Sequence, residues 1–195
     1  MSAVSSPKLT TAEELEQLSA QGGRYELVRG TLQPMSPTSE EHGNATFLLT
    51  LYLGLFIEEH RLGRGYAAET GFLIARDPDT VLAPDFAFVS RECHPETVAK
   101  TFAPFVPDLV LETRSVSDTK TQVARKIERW LQAGVKMILD LDPKAYSLTV
   151  NRPGIEPRTL GIEDKLFGED VLPGFMLPLR KLFPSGAQES EQEAR

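Results

Sequence analysis

Two acidic residues set inside apolar runs constrain this chain more than any other feature. The run VLAPDFAFV, residues 81–89, carries Asp85, and DLVLETRS, residues 108–115, carries Glu112. Both runs read as strands, from their alternation and their aromatic and β-branched content. A carboxylate in such a run is costly to bury unless something binds it. In the second run Asp108, Val110, Glu112 and Arg114 share one face, and Leu109, Leu111 and Thr113 the other. In the first, Asp85, Ala87 and Val89 oppose Phe86 and Phe88. Pro84 cannot donate to a ladder, so it marks an edge, a bulge or a limit of pairing. After Glu112, Ser115–Thr119 supplies cap residues for a helix that turns Val123, Ile127, Trp130 and Leu131 inward and closes at Gly134. Lys126 lies on that helix, one turn before Trp130.

The rest of the chain reads as scaffold for this stretch. Thr11 with Glu14 forms a capping-box pattern for a short helix that buries Leu15 and Leu18 and stops at Gly22-Gly23. RYELVRGTLQPM is a hairpin turning at Arg29-Gly30. Thr38-Ser-Glu-Glu41 is a second capping box, opening a long helix to about Leu62. Its stripe of Ala45, Leu48, Leu49, Tyr52, Leu53, Phe56 and Ile57 marks a main core element. Gly63 and Gly65 are expected to end it. Gly43 and Gly54 weaken it locally, as residues that permit close packing do, including packing against a second subunit. GYAAETGFLIARDPDT reads as one strand with a turn at Asp77-Pro78-Asp79, and VLAPDFAFV as the next. Residues 90–107 form the longest irregular region. VKMILDLDP reads as a central strand parallel to a neighbour, and AYSLTVNRPG pairs beside it. The remainder is turn-rich with a short C-terminal helix. One domain over residues 1–186 and a disordered acidic tail over 187–195 are expected.

Composition narrows the function classes. The chain of 195 residues has a formal net charge of −7, of which the tail's three Glu and one Arg account for −2, leaving −5 for the body. A global basic footprint for holding nucleic acid is missing, although an acidic total is compatible with a cluster of metal-binding carboxylates. No stretch has the apolar length of a membrane span. Cys93 is the single cysteine, which fits a reducing cytoplasm, the expected location.

Phosphodiester hydrolysis needs stabilisation of charge on the phosphoryl oxygens, an activated water and relief of the leaving oxygen. A divalent cation on hard carboxylate oxygens meets the first two needs, and a nearby Lys can orient or deprotonate the water. If the two strands pair as neighbours, Asp85 and Glu112 meet at one sheet edge, with Lys126 one helix later. The bland alternatives stand beside this. Asp85 can cap a turn, and Glu112 can be a strand residue paired with Arg114 or Lys126.

PDFAFV followed by DLVLETRS resembles the PD-(D/E)XK nuclease superfamily. More closely, the chain resembles a large bacterial family described as restriction endonucleases. The similarity runs through RYELVRGTLQPMSP, EHG, APDFAFV, PDLVLETRSVSD, KIERWLQAGV, LDP and VLPGF. The resemblance implies an α/β fold with a restriction-endonuclease-like core: a mixed β-sheet flanked by two main helices, with an N-terminal hairpin. It implies Mg²⁺ or Mn²⁺ on Asp85 and Glu112. The superfamily's usual lysine position holds Arg114, a poor base that can still neutralise a phosphate. The lysine role passes to Lys126. His42 stands where the family often has His, and is either a phosphate or metal contact or a bland helix-start residue. Glu26 matches the family's YEL segment and is a candidate to complete the acidic cluster. Glu69 is a further candidate carboxylate. Met137-Ile138 stands where family members often carry an acidic-aromatic pair. His60 and His94 read as surface residues, Cys93 as inert, and Trp130 as core.

The leading expectation is a Mg²⁺-dependent endonuclease acting on nucleic acid, with DNA the expected form, working as a homodimer. Arg114 at the lysine position and the acidic charge favour a second reading, a non-catalytic binding module that keeps the fold. A hydrolase of small phosphate esters is the third.

Overall fold

The computed structural model describes residues 8–93 and 99–183. The elements, in chain order, are α1 (Ala12–Ala20), β1 (Tyr25–Val28), β2 (Thr31–Pro34), α2 (Glu40–His60), β3 (Gly63–Ala67), β4 (Phe72–Ala75), β5 (Thr80–Leu82) and β6 (Phe86–Ser90). There follow β7 (Leu109–Thr113), α3 (Lys120–Ala133), β8 (Met137–Asp142), β9 (Ser147–Arg152), β10 (Ile155–Leu160), β11 (Lys165–Phe167), β12 (Met176–Pro178) and a 3-10 turn, Leu179–Lys181. They group into two compact units, one of Met1–Pro37, Thr70–Ala83 and Thr97–Val106, the other of Thr38–Glu69, Pro84–Glu96 and Pro107–Arg195.

The first unit holds α1 and a sheet in the order β2-β1-β5-β4. Thr11 and Glu14 form the expected capping box on α1. The β1–β2 hairpin turns through Arg29 and Gly30, both at positive φ, the backbone a two-residue hairpin turn requires. A Cβ on Gly30 would lie 2.7 Å from that of Leu9, so a side chain there would meet both strain and a clash. Leu15, Leu27 and Val81 form this unit's small core.

The second unit is built on a mixed sheet in the order β10-β9-β8-β7-β6-β3. β7 and β8 are parallel, with α3 as their crossover, and β6 pairs antiparallel with β7. The inward row of Phe86, Phe88, Leu109, Leu111, Leu139 and Leu141 packs with Leu49, Leu53 and Ile57 of α2. Residues of the opposite parity on β7 face α3, as the Trp130–Glu112 hydrogen bond requires. The sheet is therefore flanked by two main helices, as expected.

Several boundaries differ from those read off the sequence. The α2 cap is Ser39, whose Oγ accepts from the His42 amide, so the helix opens one residue later than the Thr38 pattern suggests. It ends at Arg61 in the left-handed region (φ 52°), and Gly63 and Gly65 lie inside β3. GYAAETGFLIA is two strands, β3 and β4, in different sheets, broken at Glu69 (φ 71°). VLAPDFAFV is also two strands, and Pro84 falls in the gap between β5 and β6 because it has no N–H to extend either ladder. The short C-terminal helix is a single 3-10 turn. The tail 187–195 and His94 lie outside the described residues. Among the described residues no helix is long and apolar enough to cross a membrane.

Candidate active site

The site lies at one end of the β6–β7–β8 strands and begins with their register. Phe86 pairs with Leu111, so Asp85, one residue earlier, stands opposite Glu112, one residue later. Directly opposed residues of an antiparallel pair point to the same face. The Asp85 amide donates to the Leu111 carbonyl at 3.0 Å, and Asp85 Oδ2 accepts from the Thr113 amide at 2.7 Å. The carboxylate thus continues the ladder where Pro84 has ended it. Because β6 and β7 lie inside the six-stranded order, the two acids stand opposite each other at strand ends and not along a lateral edge.

Glu112 is held from α3. Lys126 Nζ lies 2.8 Å from Oε2, and Trp130 Nε1 donates to Oε1 at 2.7 Å. Residues 126 and 130 are one turn apart, so both reach the same carboxylate. Trp130 is fully buried, as a core residue should be, and it is also a site residue through its indole N–H. The Glu112 side chain is 12% exposed and that of Asp85 24%.

His42, in the first turn of α2, is buried. Its Nε2 donates to the Thr113 carbonyl at 3.0 Å and lies 3.7 Å from Asp85 Oδ2. Its Nδ1 lies 3.4 Å from Thr46 Oγ1, which donates to Thr113 Oγ1 at 2.8 Å. His42 is therefore drawn into the site through the backbone that also holds Asp85.

Arg114 turns toward β8. Its Nε and Nη2 donate to the two oxygens of Asp140 at 2.8 and 2.6 Å, and Nη1 donates to Asp142 at 3.0 Å. These hydrogen bonds, that to Asp140 foremost, raise its pKa above the usual arginine value. Its fork is committed to neutralising the buried Asp140. Beside it lies a cavity of about 220 Å³. Basic Arg114, Lys120 and Lys144 line it, as do acidic Glu41, Asp118 and Asp142. Asp142 is bound by Arg114, and Asp118 accepts from the Ser115 amide.

The other candidates lie apart from this cluster or in the other unit. Glu26 belongs to the first unit, where Oε1 accepts from the Ala83 amide at 2.9 Å. Glu69 is exposed on a turn. His60 is exposed and stacks on Phe56. Cys93 is exposed, 3.6 Å from Asp108 at the far end of β7. Asp140, Asp142, Thr46 and Thr113 were not singled out in the sequence. The available signal was Asp140 itself, a second acid inside an apolar strand, at i+28 from Glu112 and paired with it in the parallel register.

Asp85 and Glu112 are hard oxygen donors of the type that Mg²⁺ takes. Among the described residues no group of three or more His, Cys, Asp or Glu forms a metal cage. Two opposed carboxylates suit an ion that keeps several waters and takes further oxygens from a phosphate. A cation on Glu112 would share the carboxylate with Trp130 on Oε1 and with Lys126 on Oε2.

A family described as "Putative restriction endonuclease" (Uma2) matches residues 12–180. The chain belongs to this family. It places the chain in the restriction-endonuclease-like superfamily. A solved structure titled as a putative nuclease belonging to DUF820, from Anabaena variabilis ATCC 29413, is similar at a TM-score of 0.78. The identity is 18%, and the match covers 89% of this chain and 97% of that one, a likeness of fold. No curated protein matches the chain.

Proposed function

We propose that this family member hydrolyses phosphodiester bonds of nucleic acid, DNA being the expected form, with Asp85 and Glu112 holding Mg²⁺ or Mn²⁺. The observation that carries the reading is the opposition of Asp85 and Glu112 in the β6–β7 register with Lys126 2.8 Å from Glu112. A cation bound there would neutralise charge developing on the phosphoryl oxygens. The Lys126 ammonium has three donors and can direct one at an attacking water while it holds Glu112. Trp130 fixes the Glu112 rotamer by its N–H. His42 and Thr113 fix Asp85 from the other side, which makes His42 a positioning residue. Arg114 serves the site by holding Asp140 and Asp142. Lys120 and Lys144, in the adjoining cavity, supply positive charge for a neighbouring backbone phosphate.

The test is cleavage of supercoiled plasmid and of single-stranded DNA with Mg²⁺ or Mn²⁺, comparing the parent with Asp85→Ala, Glu112→Ala and Lys126→Ala. Cation-dependent nicking in the parent, lost in each variant, is expected. Nicking that survives Asp85→Ala would sink the assignment. The Lys126 and Trp130 bonds to both Glu112 oxygens favour a second reading, a binding module in which Glu112 is a structural acid. That reading predicts no cation binding and no cleavage, with nucleic acid or protein binding intact in Asp85→Ala.

A further inference from the structure

The outward arc of α2 carries an apolar surface that is exposed among the described residues. Phe47 is 60% exposed, Leu51 39% and Leu55 59%. At 100° per residue, Gly43, Phe47, Leu51, Gly54 and Leu55 fall within one arc of about 120°, opposite the buried Leu49 and Leu53. Among the described residues, a Cβ built on Gly43 or Gly54 meets nothing within 4 Å, so neither glycine is required by packing against them. Five residues of one arc without charge, two of them reduced to backbone, describe a contact surface.

We propose that this arc is the interface of a two-fold dimer, in which α2 packs antiparallel on α2 of a second copy. With the axis between Thr50 and Leu51, residue i opposes residue 101 − i. Phe47 then seats over Gly54 of the partner subunit, and Gly54 receives the partner's Phe47. Leu51 lies at the axis. Glu40, at the start of the helix, meets Arg61 of the partner subunit at its end. Glu58 falls opposite the partner's Gly43, and the same end holds Arg61 against the partner's Glu40. Parallel pairing would stack Phe47 on Phe47, Glu40 on Glu40 and Glu58 on Glu58, losing both the fit and the charge match. A C2 contact of this kind is self-complementary by construction. A single helix pair lies at the small end of the roughly 1,200–2,000 Å² that specific interfaces bury, so the dimer dissociates on dilution. The interface is argued from α2 alone and does not rest on the nuclease reading.

Sedimentation equilibrium of the full chain tests it. A mass rising with concentration toward twice the 21.6 kDa of one chain is expected, and Phe47→Glu and Gly54→Leu should each weaken association at least tenfold. Gly54→Leu enters open space in the single chain, so it loses the dimer while its circular dichroism stays that of the parent. In a Cys93→Ser background, a short bis-maleimide should link Leu51→Cys to itself and leave Gly43→Cys unlinked. A chain that stays monomeric at every concentration overturns the proposal. So does association untouched by Gly54→Leu, or linkage through position 43 in place of 51.

Discussion

Glu112 is held before any ligand arrives by an ammonium and by an indole N–H. A cation on Glu112 must share the carboxylate with Lys126. Lys126→Met should therefore have opposite effects on two measurements. Cation affinity by calorimetry should rise, because the competing charge is gone, while plasmid nicking falls to background. Without cation the variant should lose roughly 1–3 kcal/mol of stability, the cost of a partner removed from a largely buried acid. A loss of affinity would show instead that Lys126 assembles the site. Arg114 supplies a contrasting case. Asp140 is 4% exposed, and Arg114→Ala leaves it charged and unpaired. Urea unfolding should show a loss of about 3 kcal/mol. A fully stable variant with weakened DNA binding would restore the phosphate role first considered for it. The opposition of Asp85 and Glu112 and the Lys126–Glu112 ion pair were foreshadowed in the sequence, the acids because a carboxylate in an apolar run demands a partner and the lysine through the resemblance. The engagement of Arg114 was not, because residue type alone does not say whether a guanidinium at i+2 turns to substrate or to the next strand.

At the scale of elements, periodicity found α1, α2 and α3, the apolar run of β8 marked a strand parallel to a neighbour, which is β7, and glycine and proline placed the ends less well. Arg61 closes α2 in the left-handed region without a glycine, so the Gly63 signal pointed two residues too far. Alternation runs unbroken through Phe72–Ala75 and through Phe86–Ser90, but it cannot say that the strand before each break belongs to another sheet. Pro84 carried that information as a missing donor. The α2 cap gives a direct check. Ser39→Ala removes the acceptor for the His42 amide and should cost about 1 kcal/mol. If Thr38 were the cap, Thr38→Ala would cost that much and Ser39→Ala almost nothing. Thermal unfolding of the two variants separates them. Because His42 sits three residues into this cap, Ser39→Ala should also reduce nicking modestly.

At the scale of the whole chain, the sheet has one polar end for the site and another that is locked. At the locked end Asp108 is buried, with Lys136 Nζ at 2.6 Å and the Ser90 amide at 2.7 Å. Burial alone would raise its pKa, but the bonds from Lys136 and Ser90 outweigh it and hold the carboxyl below 3.8. A group depressed in the folded state stabilises above its unfolded value and loses that contribution as pH falls through the folded one. Stability should therefore drop below pH 3.8, and Asp108→Asn should flatten that part of the profile. Lys136 is raised above 10.5 by its hydrogen bond to Asp108, so its share persists to that pH and is lost above it. An acid limb unchanged by Asp108→Asn would assign it to other carboxylates. The family and the mixed-sheet architecture were legible from the combined run of motifs. The covered and uncovered faces of α2 were not, since a helix apolar on most sides shows its core stripe and its bare arc alike.

The most direct measurement is a calorimetric titration of Mn²⁺ into the parent, Asp85→Asn and Glu112→Gln, each checked for folding by circular dichroism. One cation bound by the parent and none by either variant is the predicted result. A folded parent that binds no cation, or an Asp85→Asn chain that binds it equally well, would contradict the two-carboxylate site.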